Sequence, residues 1–195
     1  MSMKTTLIGA AALSILALAG CRSTQEVLNI GEAAEANPGP CPRAFALFDA
    51  SRYVEILGDG RETFKNVGFT GEVQSVRSLC RYFADRPIRA DLTIDFELGR
   101  GPAASGDTVN YNYFVAVTRK NIDVLEKVVT PFTVTFPAGQ DRVSVRQEID
   151  EIIIPRANDT TSGENFEIVV GFVVTPEQRA FNADGKRFRV SAGQR

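Results

Sequence analysis

From Ile88 to Leu98 the chain alternates without a break. Ile88, Ala90, Leu92, Ile94, Phe96 and Leu98 are apolar, and Arg89, Asp91, Thr93, Asp95 and Glu97 are polar between them. A period of two places the first set on one face of a β-strand and the second on the other, so this stretch predicts a half-buried strand. Thr108 to Thr118 repeats the pattern with Val109, Tyr111, Tyr113, Val115 and Val117, and the GRGPAASGD run before it supplies a loop. Antiparallel pairing of these two strands is the expectation. Val128, Thr130, Phe132, Val134 and Phe136 alternate again, but Pro131 removes one ladder donor and predicts an edge strand or a bulge. Val143 to Ile154 alternates and then becomes apolar on both faces at Ile152, Ile153 and Ile154, a phase change that predicts a bulge or deeper burial. Phe166 to Val174 is apolar on nearly every position and is the candidate central strand.

Ala44 to Phe48, Tyr53 to Leu57 and Phe69 to Tyr82 add earlier strands, the last with a change of phase near Gln74 and Ser75. One helix is predicted. Thr175, Pro176, Glu177 and Gln178 combine a capping hydroxyl, a proline at the first helical position and a glutamine that completes the box, so a short helix runs to about Asn182. Eight or nine short strands in one domain imply two packed layers, because an open sheet leaves one face bare. The fold class expected is therefore all-β: an immunoglobulin- or fibronectin-III-like antiparallel β-sandwich over residues 41–190, with one short C-terminal helix. The charged alternate faces exclude an outer-membrane barrel, whose outward face must be apolar.

Ahead of this domain the pattern changes. Lys4 is followed by an uncharged stretch from Thr5 to Ala19, the profile of an export leader and shorter than the ~20 residues a spanning helix needs. The stretch ends in Leu18, Ala19, Gly20 and Cys21, which resembles the lipobox of bacterial lipoproteins. That resemblance implies a signal peptide over 1–20, cleavage before Cys21, and lipidation of Cys21. An ordinary leader with a chance cysteine is the competing reading. Arg22 beside Cys21 is not the aspartate that marks inner-membrane retention in enteric lipoproteins, so the resemblance implies the outer membrane, facing the periplasm. Residues 21–40 then form a tether that ends in Pro38, Gly39 and Pro40, a sequence that cannot continue a helix.

With Cys21 carrying lipid, Cys41 and Cys80 remain as an even pair in an oxidising compartment, and a disulfide between them is the economical expectation; two buried thiols are the alternative. The absence of histidine excludes Ser-His-Asp and Cys-His nucleophile systems and histidine metal ligation. The formal net charge of −2 becomes −3 once Lys4 leaves with the leader, and no basic cluster suggests nucleic acid.

The blocks CPRAFALFDA, RGPAA, YNYFVAVTRKN, VLEKVVTPFTVTFP, IIIPR and NFEIVVGFVVTPEQRAFN resemble those of a family of proteobacterial envelope lipoproteins with no assigned activity. The resemblance covers nearly the whole mature chain and implies no catalytic, cofactor or metal residues. Weaker features each have a plain explanation. Asp91, Asp95 and Glu97 share one strand face, and the readings of that face are a divalent-ion site, an acid and base pair, or a solvated polar surface. Asp49, Asp184 and Gly185 suit turns, as does the Arg100, Gly101, Pro102 segment, and Tyr111 and Tyr113 suit a core. The expected function is a non-enzymatic structural or protein-interaction module, anchored to the membrane by lipid, with an envelope protein as partner. A β-sandwich that binds a small ligand, an ion or a glycan is the alternative.

Overall fold

A computed structural model of the chain describes residues 39–120 and 122–188, and within them the period-two stretches are strands. In chain order these are β1 (Arg43–Ala46), β2 (Arg52–Ile56), β3 (Val67–Arg81), β4 (Ile88–Arg100), β5 (Thr108–Arg119), β6 (Asp123–Thr135), β7 (Arg142–Ile154) and β8 (Phe166–Phe172). Helix α1 (Pro176–Ala183) follows them. The leader, Cys21 and most of the tether lie outside the described residues.

The strands form two four-stranded sheets, one in the order β1-β8-β5-β6 and the other β2-β3-β4-β7. Consecutive strands β4 and β5 lie in different sheets, as do β7 and β8, while β4 pairs with β7 and β5 with β8. The B, C, E and F strands of an immunoglobulin domain share this crossed arrangement. The all-β sandwich with one short C-terminal helix is thus the fold predicted from the pattern. Every pairing among the described strands is antiparallel except that of β1, which runs parallel to β8 with Phe45 opposite Val169.

Alternation explains which face of each strand is inside. Ile88, Ala90, Leu92, Ile94, Phe96 and Leu98 are all at most 1% exposed, and they meet Tyr111 and Tyr113 of β5 and Phe166, Ile168, Val170 and Phe172 of β8 in one core. Phe96 is its hub, with ring centroids 5.4 Å from Tyr113, 5.3 Å from Phe132 and 5.2 Å from Phe172. Tyr111 satisfies its buried hydroxyl by donating to the Thr70 carbonyl at 2.9 Å. Burial first, then the nearby Tyr53 and Glu55, raises the Tyr111 pKa well above that of an ordinary phenol.

One expectation is overturned. β4 and β5 do not pair, because the loop between them carries the chain from one sheet to the other. Gly101 donates to Gly68 at 2.6 Å and Ala103 to Val67 at 2.9 Å, so the loop follows β3 before crossing. A Cβ on Gly101 would collide with the Val67 carbonyl, which is why glycine stands there. Two strands with apolar inner faces satisfy the same alternation whether they lie side by side or face to face, so the pattern does not distinguish the two.

The irregularities fall where the phase changes. β3 shifts register between Val73 and Ser75, and β7 shifts opposite Ala90 and Leu92, with Glu151 in the left-handed region at φ 62°. Pro131 lies on β6, an edge strand. β1 ends earlier than expected, at Ala46, and Phe48–Ala50 form a 3-10 turn instead.

Helix α1 has both halves of its capping box: Gln178 N–H donates to the Thr175 hydroxyl at 3.2 Å, and Thr175 N–H donates to the Gln178 side-chain oxygen at 2.9 Å. The helix packs along β2. The buried Asn182 amide donates to the Asp49 and Arg52 carbonyls at 2.9 and 2.8 Å, and Gln178 donates to that of Val54. Carbonyls on the free edge of β2 are therefore satisfied by helix side chains. Thr175→Ala removes one partner of the box and is expected to lower unfolding free energy by about 1 kcal/mol, read as a shift of the urea midpoint at constant slope.

Candidate functional site

The three acids singled out on β4 do not converge on an ion. Asp95 lies between two guanidinium groups, Arg146 at 2.8 Å and Arg77 at 2.8 Å, and accepts from Ser75 at 2.7 Å. Glu97 pairs with Arg142, and Asp91 accepts the Glu151 N–H at 3.2 Å. The outer face of this sheet is a ladder of ion pairs between β3, β4 and β7. No group of three or more Cys, His, Asp and Glu among the described residues is placed to hold a metal.

Contact with Arg146, then with Ser75, holds the Asp95 carboxyl far below its ordinary pKa. A group whose pKa falls on folding stabilises the native state above its unfolded pKa of about 3.9. That contribution is lost as pH drops through the folded value. The wild-type chain should therefore lose stability from pH 5 downward more steeply than Asp95→Asn does. Urea titrations at several pH values test this, and parallel curves for the two proteins would refute it.

The remaining candidates have structural roles. Tyr111 and Tyr113 are in the core, 1% and 2% exposed. Arg100 pairs with Asp141 at 2.9 Å, Asp49 lies in the 3-10 turn, Asp184 follows α1 as its C-cap, and Gly185 has φ 72°. Arg100 and Asp141 line one cleft with Gly101 and Pro102, and Tyr113 lines another, so the candidates are not gathered in one site.

Cys41 and Cys80 are joined by a disulfide with a Cα separation of 5.7 Å, within the ordinary range for such a bond. It lies in a fastening that the sequence did not suggest. The buried Tyr82 hydroxyl donates to the Pro40 carbonyl at 2.8 Å and accepts the Gly163 N–H at 3.0 Å. Arg156 sits 4.9 Å from the Tyr82 ring and donates to the carbonyls of Arg86 at 2.7 Å and Asp159 and Thr161 at 3.1 Å. The β3–β4 loop, the β7–β8 loop and the start of the described chain are tied together here.

The other feature missed is an open flank. On one side β2 is covered by α1, but on the opposite side edge strands β6 and β7 leave a groove of about 570 Å³ between the sheets. Tyr113, Val115 and Val117 of β5 form its floor. Glu126, Val128 and Thr130 of β6 form one wall, and Gln147, Glu148, Ile149, Glu151, Ile152 and Ile153 of β7 the other. Val128 is 52% and Ile153 49% exposed, so the apolar lining is wet. The charged lining residues are all acidic; Arg89 neutralises Glu151, while Glu126 and Glu148 have no ion pair among the described residues. A wet apolar groove with an acidic rim can take up an apolar segment or ligand.

No protein-family model and no curated protein matches the chain.

Proposed function

We propose that the chain is a lipid-anchored module of a bacterial envelope, held by an acylated Cys21 on the periplasmic side of the outer membrane, whose sandwich binds another envelope protein and catalyses no reaction. The leader, the Leu18-Ala19-Gly20-Cys21 motif and Arg22 support the address. The disulfide between the two remaining cysteines fits an oxidising compartment. The observation that carries the binding role is the flank between β6 and β7, where apolar side chains line a groove and stay half in water.

The address predicts diacylated Cys21 at the mature terminus by mass spectrometry, and release of a Cys21→Ser protein from the membrane fraction. A mature terminus without fatty acids would overturn it. For the binding role, affinity purification from crosslinked, detergent-solubilised membranes should recover one stoichiometric companion. Recovery of the protein alone across several detergents would count against that role.

A small apolar ligand is the second reading, favoured by the groove's volume, which lies within the range of small-molecule sites. It predicts a thermal shift with amphiphiles that Val128→Arg abolishes.

A further inference from the structure

A β-sandwich with two open sheets has four edge strands, and each is a template for another chain unless something blocks it. Three are blocked here. β1 is four residues long, and β2 has its edge carbonyls bonded by Asn182 and Gln178 of α1. β7 carries Arg142, Arg146, Glu148 and Asp150 and is broken by the bulge at Glu151. β6 is thirteen residues long; it carries Asp123, Glu126 and Lys127 and a register shift at Leu125 near its start, but every residue from Asp123 to Val129 is exposed, among them Val124, Leu125, Val128 and Val129 at 40–55%.

Backbone direction along β6 follows from Pro131. It stands opposite Asn112, whose carbonyl is taken by Val173 at 2.8 Å on the other side of β5. Asn112 and Pro131 are therefore a non-hydrogen-bonded pair, and both backbones point away from each other. Residues two and four before Pro131 share its orientation, so Val129 and Lys127 direct N–H and C=O to the open edge. Pro131 itself offers no donor, which limits the available edge to its N-terminal half. That half spans roughly 20 Å, the length of about six residues.

We infer that Val124–Val129 of β6 receives an extended segment of a partner protein as a fifth strand of its sheet, a segment that alternates apolar residues with lysine or arginine. This deepens the proposed binding role and rests on it. Alternate side chains of the added strand cover Val128, Ile149 and Ile152 in the groove, and its cations meet Glu126 and Glu148, neither of which makes an ion pair among the described residues, although Glu148 feels the charge of Arg146. Main-chain bonds supply affinity in this mode and the side-chain pockets supply selectivity.

The test uses the full mature chain in detergent and a synthetic peptide in which valine alternates with threonine, with lysine at both ends. Three comparison peptides are the same residues in block order, a version with glutamate for lysine, and one methylated on its backbone nitrogens. Binding of the first peptide alone is expected by fluorescence anisotropy. Val129→Pro removes only an outward donor and should weaken binding about tenfold or more. Glu126→Lys should do the same to the lysine peptide and transfer binding to the glutamate peptide. Equal binding of the block-order peptide, or no effect of Val129→Pro, overturns the inference. So does a wild-type dimer in sedimentation that Val128→Arg dissolves, which would make a second copy the occupant. A photocrosslinker at Val128 and another at Leu79, on the outer face of the other sheet, separate this inference from the broader role. A partner captured in membranes only from Leu79 leaves the binding role standing and removes the β6 site, whereas capture from neither position removes both.

Discussion

Phe172→Ala is expected to cost about 3–5 kcal/mol of folding stability and to lower Tm by on the order of 10 °C. The side chain is fully buried at the end of β8, between the sheets. Its ring lies 5.2 Å from Phe96, 5.9 Å from Tyr111 and 6.2 Å from Tyr53, centroid to centroid. The facing sheet has made room for it, since a Cβ at Gly71 would come within 2.8 Å of the ring. Truncation thus removes apolar area and also leaves a void that neither sheet can close, because strands hydrogen-bonded on both sides do not shift to fill one methyl group at a time. Val128→Ala is the contrast: its side chain is half in water, so its loss should lie well below that of the core site. Urea denaturation of both variants measures the difference. A loss under 1 kcal/mol for Phe172→Ala would mean that the ring does not join the two sheets.

Strand identity was legible because most strands alternate between a drier and a wetter face. The six apolar positions of β4 alternate and all six are buried. Departures from strict alternation were informative too: the phase changes at Gln74–Ser75 and at Ile152–Ile154 are the register shifts of β3 and β7, and Pro131 is on an edge. What alternation cannot carry is the partner of each strand. The missed crossing between β4 and β5 and the parallel pairing of β1 with β8 are both choices of partner made over long sequence distances, for which any inward apolar face serves equally well. The ion pairs of Asp95 were hidden for a related reason. Arg77 and Arg146 come from two other strands, 18 and 51 residues away, and only sheet order brings them to one carboxylate. Arg156 is similar, with acceptors on Arg86 that lie 70 residues earlier. The groove was least legible of all. Val128 and Ile152 read as inward residues of good strands, and the exposure of Val128 and the partial burial of Ile152 follow from both being on the same uncovered flank.

Loss of the Cys41–Cys80 bond is expected to cost about 4 kcal/mol, the chain-entropy value for a closed loop of this size. The bond ties the residue two before β1 to the end of β3, the two elements between which the 3-10 turn, β2 and the β2–β3 connection must all be ordered. Without it the unfolded chain regains the freedom of that loop. Tyr82 and its bonds to Pro40 and Gly163 must then hold the start of the sandwich unaided. The parallel pairing of β1 with β8 spans only four residues, so β1 is the element with least of its own to keep it in place. Amide exchange should accordingly quicken first in β1 and around Tyr82, before it does in β4 or β8. The Cys41→Ser, Cys80→Ser protein in oxidising buffer and the wild type in dithiothreitol should unfold at the same lowered urea midpoint. Such a protein folds best after export, which accords with the proposed address. If dithiothreitol leaves the wild-type midpoint unchanged, the bond adds nothing to stability and the fastening at this pole rests on Tyr82 and Arg156 instead.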